Sequence, residues 1–290
     1  MATKQLSAQN AVRDFLLAKQ ADGLSSRTVS THDYHLKRYL KSQNPATVDD
    51  ITPATLRAYL TEMRTAGLAQ HTIHGAARSL KCFSRWLERE GICKSPWQNI
   101  KMPTFPKEIL PPFSQKDVKA ILAACDNPRD TALCMVALDT GLRLAELAGL
   151  TVGDIDLQSG AVFVRRGKGG KPRTVFIGLQ TRQAIARLYR TVGDETLWRT
   201  PTGAALSARG IAESFGRIGK RAGVKPCNPH RFRRSFAIAS LRAGMDLHTL
   251  ARLMGHASLT VLQGYLDLVT GDLQRAHAQH GALDEMLKKK

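Results

Sequence analysis

Apolar residues recur at helical spacing through the first hundred positions. Ser7–Lys19 carries Val12, Phe15 and Leu16 on one face, and Ser30–Leu40 follows the turn "DGLSSRT". "TPATLRAYLTEMRTAG" has a start signal, with Thr52 as N-cap and Pro53 at the first helical position, and a stop at Gly67. "HTIHGAARSLKCFSRWLEREG" places Leu80, Phe83, Trp86 and Leu87 along one stripe. Four helices and no strand are predicted. The pattern then breaks at "SPWQNIKMPTFPKEILPPFS", where five prolines in about twenty residues resist both helix and ladder. The chain therefore divides into a helical unit, 1–103, a Pro-rich linker, 104–113, and a second unit, 114–290.

The second unit is mixed. "SQKDVKAILAACD" has a Ser114 cap and a helical pattern, "DTALCMVALDTG" predicts a buried helix ending at Gly141, and "LRLAELAGLT" predicts another directly after it. The period then falls to two. "GAVFVRRGKGGKPRTVFIGL" reads as strand, Gly-rich turn, strand, the pattern of a hairpin. Helices return for the remainder. The expected fold class is mainly α with one small β-hairpin, an all-helical domain followed by an α+β domain.

Composition sharpens the picture. The chain has 290 residues, a formal net charge of +19 and 43% hydrophobic residues. The excess charge is spread, with 15 basic against 8 acidic residues in 1–105 and 28 against 16 in 106–290. Positive charge on both units fits a polyanion gripped by both, and nucleic acid leads. No apolar run of about 18 residues is present, which argues against a membrane span. The start "MATKQLSAQN" matches neither a signal peptide nor a lipidation motif. The five cysteines form no CxxC pair; they read as reduced, mostly buried thiols of a cytosolic protein, with no zinc site.

Four stretches concentrate chemistry. In "CNPHRFRRSF", His230, Arg231, Arg233 and Arg234 crowd a helix start where Asn228 caps and Pro229 fits the first turn. Helical spacing puts His230, Arg233 and Arg234 on one face and Phe232, Phe236 and Ala239 on the other. Such repulsion is relieved by an anion, which the helix N-terminus also favours; a helix start that only touches backbone phosphate would look the same. "LDTGLRLAELAGL" sets Arg143 within an apolar run. Glu146, three residues on, makes a structural ion pair one reading, and an arginine oriented toward a phosphate the other. "RRGKGGKPR" places Lys168 between glycines at the hairpin tip, either a solvated basic turn or a mobile lysine reaching a ligand. "LMGHASLTVLQGYLDL" stops one helix at Gly255 and starts another at Ser258. His256 lies between them, and Tyr265 is flanked by Leu262 and Leu266, as a half-buried core tyrosine would be. The pair Asp154 and Asp156 in "DIDLQ" reads as turn chemistry.

In chain order the stretches "TGLRLAEL", "GKGGKPR", "PHRFRRSFA" and "LMGHASLTVLQGYL" resemble the tyrosine site-specific recombinases of the phage integrase family, especially the two-domain Xer type. The resemblance spans the whole chain. It implies a SAM-like core-binding domain followed by a catalytic domain. It also implies an enzyme that breaks and rejoins DNA strands through a 3′-phosphotyrosine without ATP, metal or other cofactor. Such enzymes serve DNA integration and excision, or resolve multimers of chromosomes, plasmids or transposons. Carried over, Tyr265 is the nucleophile, Arg143 and Arg233 clamp the non-bridging phosphate oxygens, His256 donates to them, His230 assists proton removal and Lys168 protonates the leaving 5′-oxygen. Glu146 holds Arg143. Arg231, Arg234, Lys171 and Arg173 are expected on neighbouring phosphates, with a structural acid as the alternative partner for Arg231 and Arg234. Arg234 stands where the family commonly has a second histidine. The implied partner is a double-stranded recombination site, clamped between the two domains and bound by a homo- or hetero-tetramer in the cytoplasm, with residues 271–290 docking into a neighbour through Leu273, Ala276 and Leu283.

Two other classes share parts of this pattern. A type IB topoisomerase uses the same tyrosine chemistry as a monomer, and a catalytically silent binder would keep only the charge. A metal-dependent nuclease would be separated from all of these by activity in EDTA.

Overall fold

The computed structural model describes residues 6–104, 110–165, 172–189 and 196–255. The chain forms two compact units, 1–108 and 109–290.

The first unit contains α1 (Ala8–Ala21), α2 (Ser26–Gln43), a 3-10 turn at Val48–Asp50, α3 (Pro53–Thr65) and α4 (Gln70–Arg89). Each start has a local cause. The hydroxyls of Ser7, Ser25 and Thr52 accept from backbone N–H groups of the first turns, leaving fewer orphan donors. Because Ser25 caps, α2 begins four residues before the expected Ser30, and half of the predicted turn is helix. Phe15 lies at the centre, edge-on to Phe83 at 5.4 Å and to Trp86 at 5.7 Å. Two buried histidines of α2 face α4. His32 Nδ1 is 3.0 Å from Ser79 Oγ, and His35 lies against Gly75, where a Cβ would come within 2.8 Å of its Nε2.

The second unit contains α5 (Gln115–Ala123), α6 (Pro128–Thr140), α7 (Leu144–Ala148), β1 (Ala161–Val164), β2 (Arg173–Phe176), α8 (Leu179–Tyr189), α9 (Ala208–Arg221), α10 (Pro229–Arg242) and α11 (Leu247–Met254). Central in it, α6 packs against α8 and α10. Phe232 of α10 stacks on Phe215 of α9 at 4.3 Å and meets Phe113 edge-on at 4.9 Å, so the phenylalanine anchors α10 in the core. The antiparallel hairpin pairs Val164 with Arg173 and Val162 with Val175. Val162, Val164 and Val175 are buried while Phe163 and Phe176 face outward.

Three expectations are revised here. First, the helix predicted over "LRLAELAGLT" is only the five residues of α7, and Arg143 precedes it in extended backbone as its N-cap. Glu146, at N3, accepts the Arg143 backbone N–H at 2.9 Å, half of a capping box, and this ends the apolar run that looked continuous. Second, α10 does not present all its cations and bury its apolar positions: Arg231 and Arg233 are buried and Ala239 is exposed. Third, all five cysteines are free, but only Cys134 and Cys227 are buried and three are partly exposed. The Asp154 and Asp156 reading holds. Asp154 accepts from Thr151 and from Arg165 at 2.5 Å, and Asp156 accepts from Gln158 and Ser159.

Candidate active site

The site forms where the end of α6, the start of α7, the base of β2 and the C-terminal end of α11 meet α10. Its frame is a set of backbone carbonyls. The last carbonyls of a helix have no partner within it, and here three guanidinium groups supply partners to three in succession. Arg173 Nε donates to Leu253 O at 2.7 Å, Arg233 Nη2 to Met254 O at 2.8 Å and Arg143 Nη2 to Gly255 O at 2.9 Å. Cations at a helix C-terminus also oppose its negative dipole end. Arg233 reaches further, donating through Nη1 to Gly141 O at 2.5 Å. Gly141 ends α6 in the left-handed region, φ 56°, and Arg143 follows two residues later. Arg143 and Arg233 are thus tied to the same two pieces of chain, Gly141–Arg143 and Met254–Gly255.

One carboxylate organises the cluster. Glu146 Oε1 accepts from Arg143 Nη1 at 2.9 Å and Arg173 Nη1 at 3.0 Å, while Oε2 accepts from the Arg143 backbone N–H at 2.9 Å and Arg173 Nη2 at 2.8 Å. Its side chain is 3% exposed. Burial works against the ionised form, but the Arg173 fork and the Arg143 donors outweigh it and hold the Glu146 carboxyl below the usual carboxylate range. Among the described residues, three guanidinium groups meet one carboxylate in the cluster. Arg143 keeps a side-chain exposure of 26%, enough to meet a ligand, whereas Arg173 keeps 11%. Fixed cations of this kind are suited to charge that develops on phosphate oxygens.

The other predicted residues divide clearly. Glu146 and Arg143 pair as expected, and both are joined to Arg233 through the shared carbonyl frame. His230 sits exposed in the first turn of α10. Lys168, Lys171, His256, Tyr265 and the segment 271–290 lie outside the described residues; Gly255 directly precedes His256. For Arg231 the structure supplies one of its two alternatives. Its guanidinium is buried, lies 4.4 Å from the Phe113 ring centroid, and donates to Pro111 O and Pro226 O at 3.1 Å and to Asp117 at 3.3 Å. The structural acid of the two alternatives is therefore present. Arg234 donates to Leu110 O. With the Phe113 N–H on Ser235 Oγ at 2.7 Å, α10 fastens the segment Leu110–Phe113. Arg173 is corrected: it is turned inward onto Glu146 and Leu253 instead of outward to a phosphate. The basic flanks of the "GKGGKPR" turn suggested otherwise, but the alternation of β2 puts Arg173 on the face of buried Val175, and that signal was available. The backbone acceptors Gly141, Leu253, Met254 and Gly255 left no mark in the sequence, because every residue has a carbonyl.

In the first unit, α4 presents His74, Arg78, Lys81, Arg85 and Arg89 around an open cleft. These fall at helical spacing on the side opposite the buried stripe, a basic track suited to a phosphate backbone.

Residues 112–270 match the phage integrase family and residues 13–91 match its N-terminal SAM-like domain. The chain belongs to the phage integrase family. It is similar to the tyrosine recombinase XerC 2 of Ralstonia nicotianae, 31% identical over 285 residues that cover 90% of this chain and 82% of that protein. It is also similar to the tyrosine recombinase XerA of Pyrococcus furiosus, 27% identical with 95% and 96% covered. Among solved structures, the Tn1549 transposon integrase in complex with transposon right end DNA shares the fold, with a TM-score of 0.78 at 19% identity, covering 93% of this chain and 99% of that one. Among the described residues, no helix is long and apolar enough to cross a membrane.

Proposed function

We propose that this protein is a site-specific DNA recombinase that cuts and rejoins strands through a covalent tyrosine intermediate, as the names of its Xer relatives suggest. Tyr265 Oη attacks the scissile phosphorus and the P–O5′ bond breaks. The products are a 3′-phosphotyrosine and a free 5′-hydroxyl. The tyrosine proton leaves toward His230, and Lys168 gives a proton to the departing O5′, which would otherwise go as a strongly basic alkoxide. A free tyrosine has a pKa near 10, so attack depends on proton removal in a positive field. Arg143 and Arg233 meet the negative charge that builds on the non-bridging oxygens, and His256 adds a further donor. The covalent link keeps the energy of the broken bond, so religation to another strand needs no ATP.

The observation that carries this reading is the arginine pair. Arg143 and Arg233 come from different elements and are fixed to one carbonyl frame whose last carbonyl adjoins His256. The +19 charge and the basic track of α4 support double-stranded DNA as the partner. We place the protein in the cytoplasm, as a homo- or hetero-tetramer on two sites, with residues 271–290 exchanged between neighbours; Arg234 and Lys171 are proposed phosphate contacts. Replacing Arg143 by alanine tests the reading. Covalent protein–DNA complex should form roughly 10²–10³ times more slowly at saturating DNA, with binding retained. Equal rates would remove Arg143 from the chemistry.

A further inference from the structure

Arg173 links β2 to Glu146 of α7 and to the C-terminal end of α11. It stands at the base of β2, opposite Val164. Its two terminal nitrogens grip both oxygens of Glu146, and its Nε holds Leu253 O of α11. Its guanidinium also lies flat against Gly255. A Cβ at Gly255 would come within 3.0 Å of Arg173 Nη1, 3.1 Å of Cζ and 3.2 Å of Nε, and Gly255 has φ +62°. The left-handed backbone favours glycine there, and a Cβ would crowd the guanidinium.

These contacts have a direction. Glu146 can orient Arg143 only if the carboxylate itself is fixed. Arg143 lies three residues away on the same short segment, too local to fix it alone. Arg173 supplies the long-range hold, 27 residues along the chain and from another element. The same side chain fixes the end of α11, from which the chain runs into His256. Arginine is suited to this and lysine is not, because a planar fork can meet a carboxylate with two nitrogens while a third donates elsewhere.

We propose that Arg173 is a positioning residue for strand cleavage: through Glu146 it orients Arg143, and through Leu253 O it holds the end of α11, whose Gly255 carbonyl Arg143 also engages. The inference rests on the recombinase reading above. Arg173 acts through other residues and does not itself contact DNA.

The test compares wild type with Arg173→Ala, Arg173→Lys, Glu146→Gln and the double variant Arg173→Ala/Glu146→Gln, each as the full chain. Two quantities are read: the rate of covalent complex formation at saturating DNA, and the affinity of DNA binding as a function of salt. Arg173→Ala should slow cleavage roughly 10²-fold, the scale of a misplaced catalytic group, and leave the salt slope of binding unchanged. Glu146→Gln should produce a similar loss, and the double variant should be no slower than the worse single one, since residues that act as one unit are not additive. Arg173→Lys should recover only part of the rate. A Gly255→Ala variant, which crowds the guanidinium and strains the end of α11 without removing Arg173, should reproduce part of the defect and covers the case of an Arg173→Ala protein that does not fold. Wild-type cleavage by Arg173→Ala would overturn the proposal, as would losses that multiply in the double variant. A salt slope lowered by about one would identify Arg173 as a direct phosphate contact instead. Absence of covalent complex with wild type itself would overturn the recombinase reading, and the positioning role with it.

Discussion

Gly141 shows how much of the site depends on single atoms. Its carbonyl accepts from Arg233, its φ of 56° is in the left-handed region, and a Cβ there would lie 2.3 Å from Phe236 Cδ1. Phe236 is 9% exposed on the neighbouring turn of α10 and has little room to move. Gly141→Ala is therefore expected to destabilise the full chain by about 2–4 kcal/mol, combining overpacking with backbone strain, and to weaken the Arg233 anchor. Urea unfolding checks the first effect; an unchanged midpoint would show that the α6–α10 contact yields easily. The same residue illustrates what could be read in advance. A glycine after an apolar helical run signals a stop, and Gly141 is one. That its oxygen would hold Arg233 could not be read, because carbonyl acceptors carry no sequence identity. The inward partners of Arg231 and Arg173 could not be picked out for a related reason. A run of cations suggests a polyanion, yet each of these side chains found an internal acid, Asp117 or Glu146, far away in the chain.

Elements were more legible than contacts. Serine, threonine, asparagine and proline located the starts of α3, α5 and α10, glycine located the ends of α3, α6 and α11, and the change of period from 3.6 to two located the hairpin. The failures came where a local hydrogen bond competed with pattern: Ser25 lengthened α2, and Glu146 drew Arg143 out of a helix that apolar periodicity would have extended through it. The interface of α2 with α4 carries its own consequence. His32 and His35 are buried there, and burial, followed by the charges of Lys19 and Arg78 for His32 and of Arg38 and His32 for His35, pushes both below the usual 6.5. His35 Nδ1 has no partner. Well above pH 6.5 both rings are neutral in the folded and unfolded chain, and stability does not change with pH on their account. Below 6.5 the unfolded chain takes up protons that the folded one refuses, so stability falls with pH until the lowered folded values are reached. Hydrogen exchange of α2 and α4 in the full chain should therefore quicken between pH 6.5 and 5, and less so in His35→Leu. Exchange insensitive to pH after correction for its intrinsic rate would contradict the assignment.

Across the whole molecule the two units bring different things to one task. The first offers a basic helical track on a core built around Phe15; the second offers an arginine cluster held by Glu146 and by the end of α11. The family and the fold agree with the order of the sequence motifs, and the proposed chemistry draws its positive half from the described residues. The central claim is that Tyr265 completes it. The most direct measurement is a covalent trap: the protein is incubated with fragmented, nicked genomic DNA in EDTA and denatured in detergent, and DNA that stays attached is recovered and sequenced, with Tyr265→Phe in parallel. Attached DNA that requires Tyr265 and maps to discrete sites is the predicted result. Attachment that persists in Tyr265→Phe, or none with wild type despite tight, salt-sensitive binding, would contradict it.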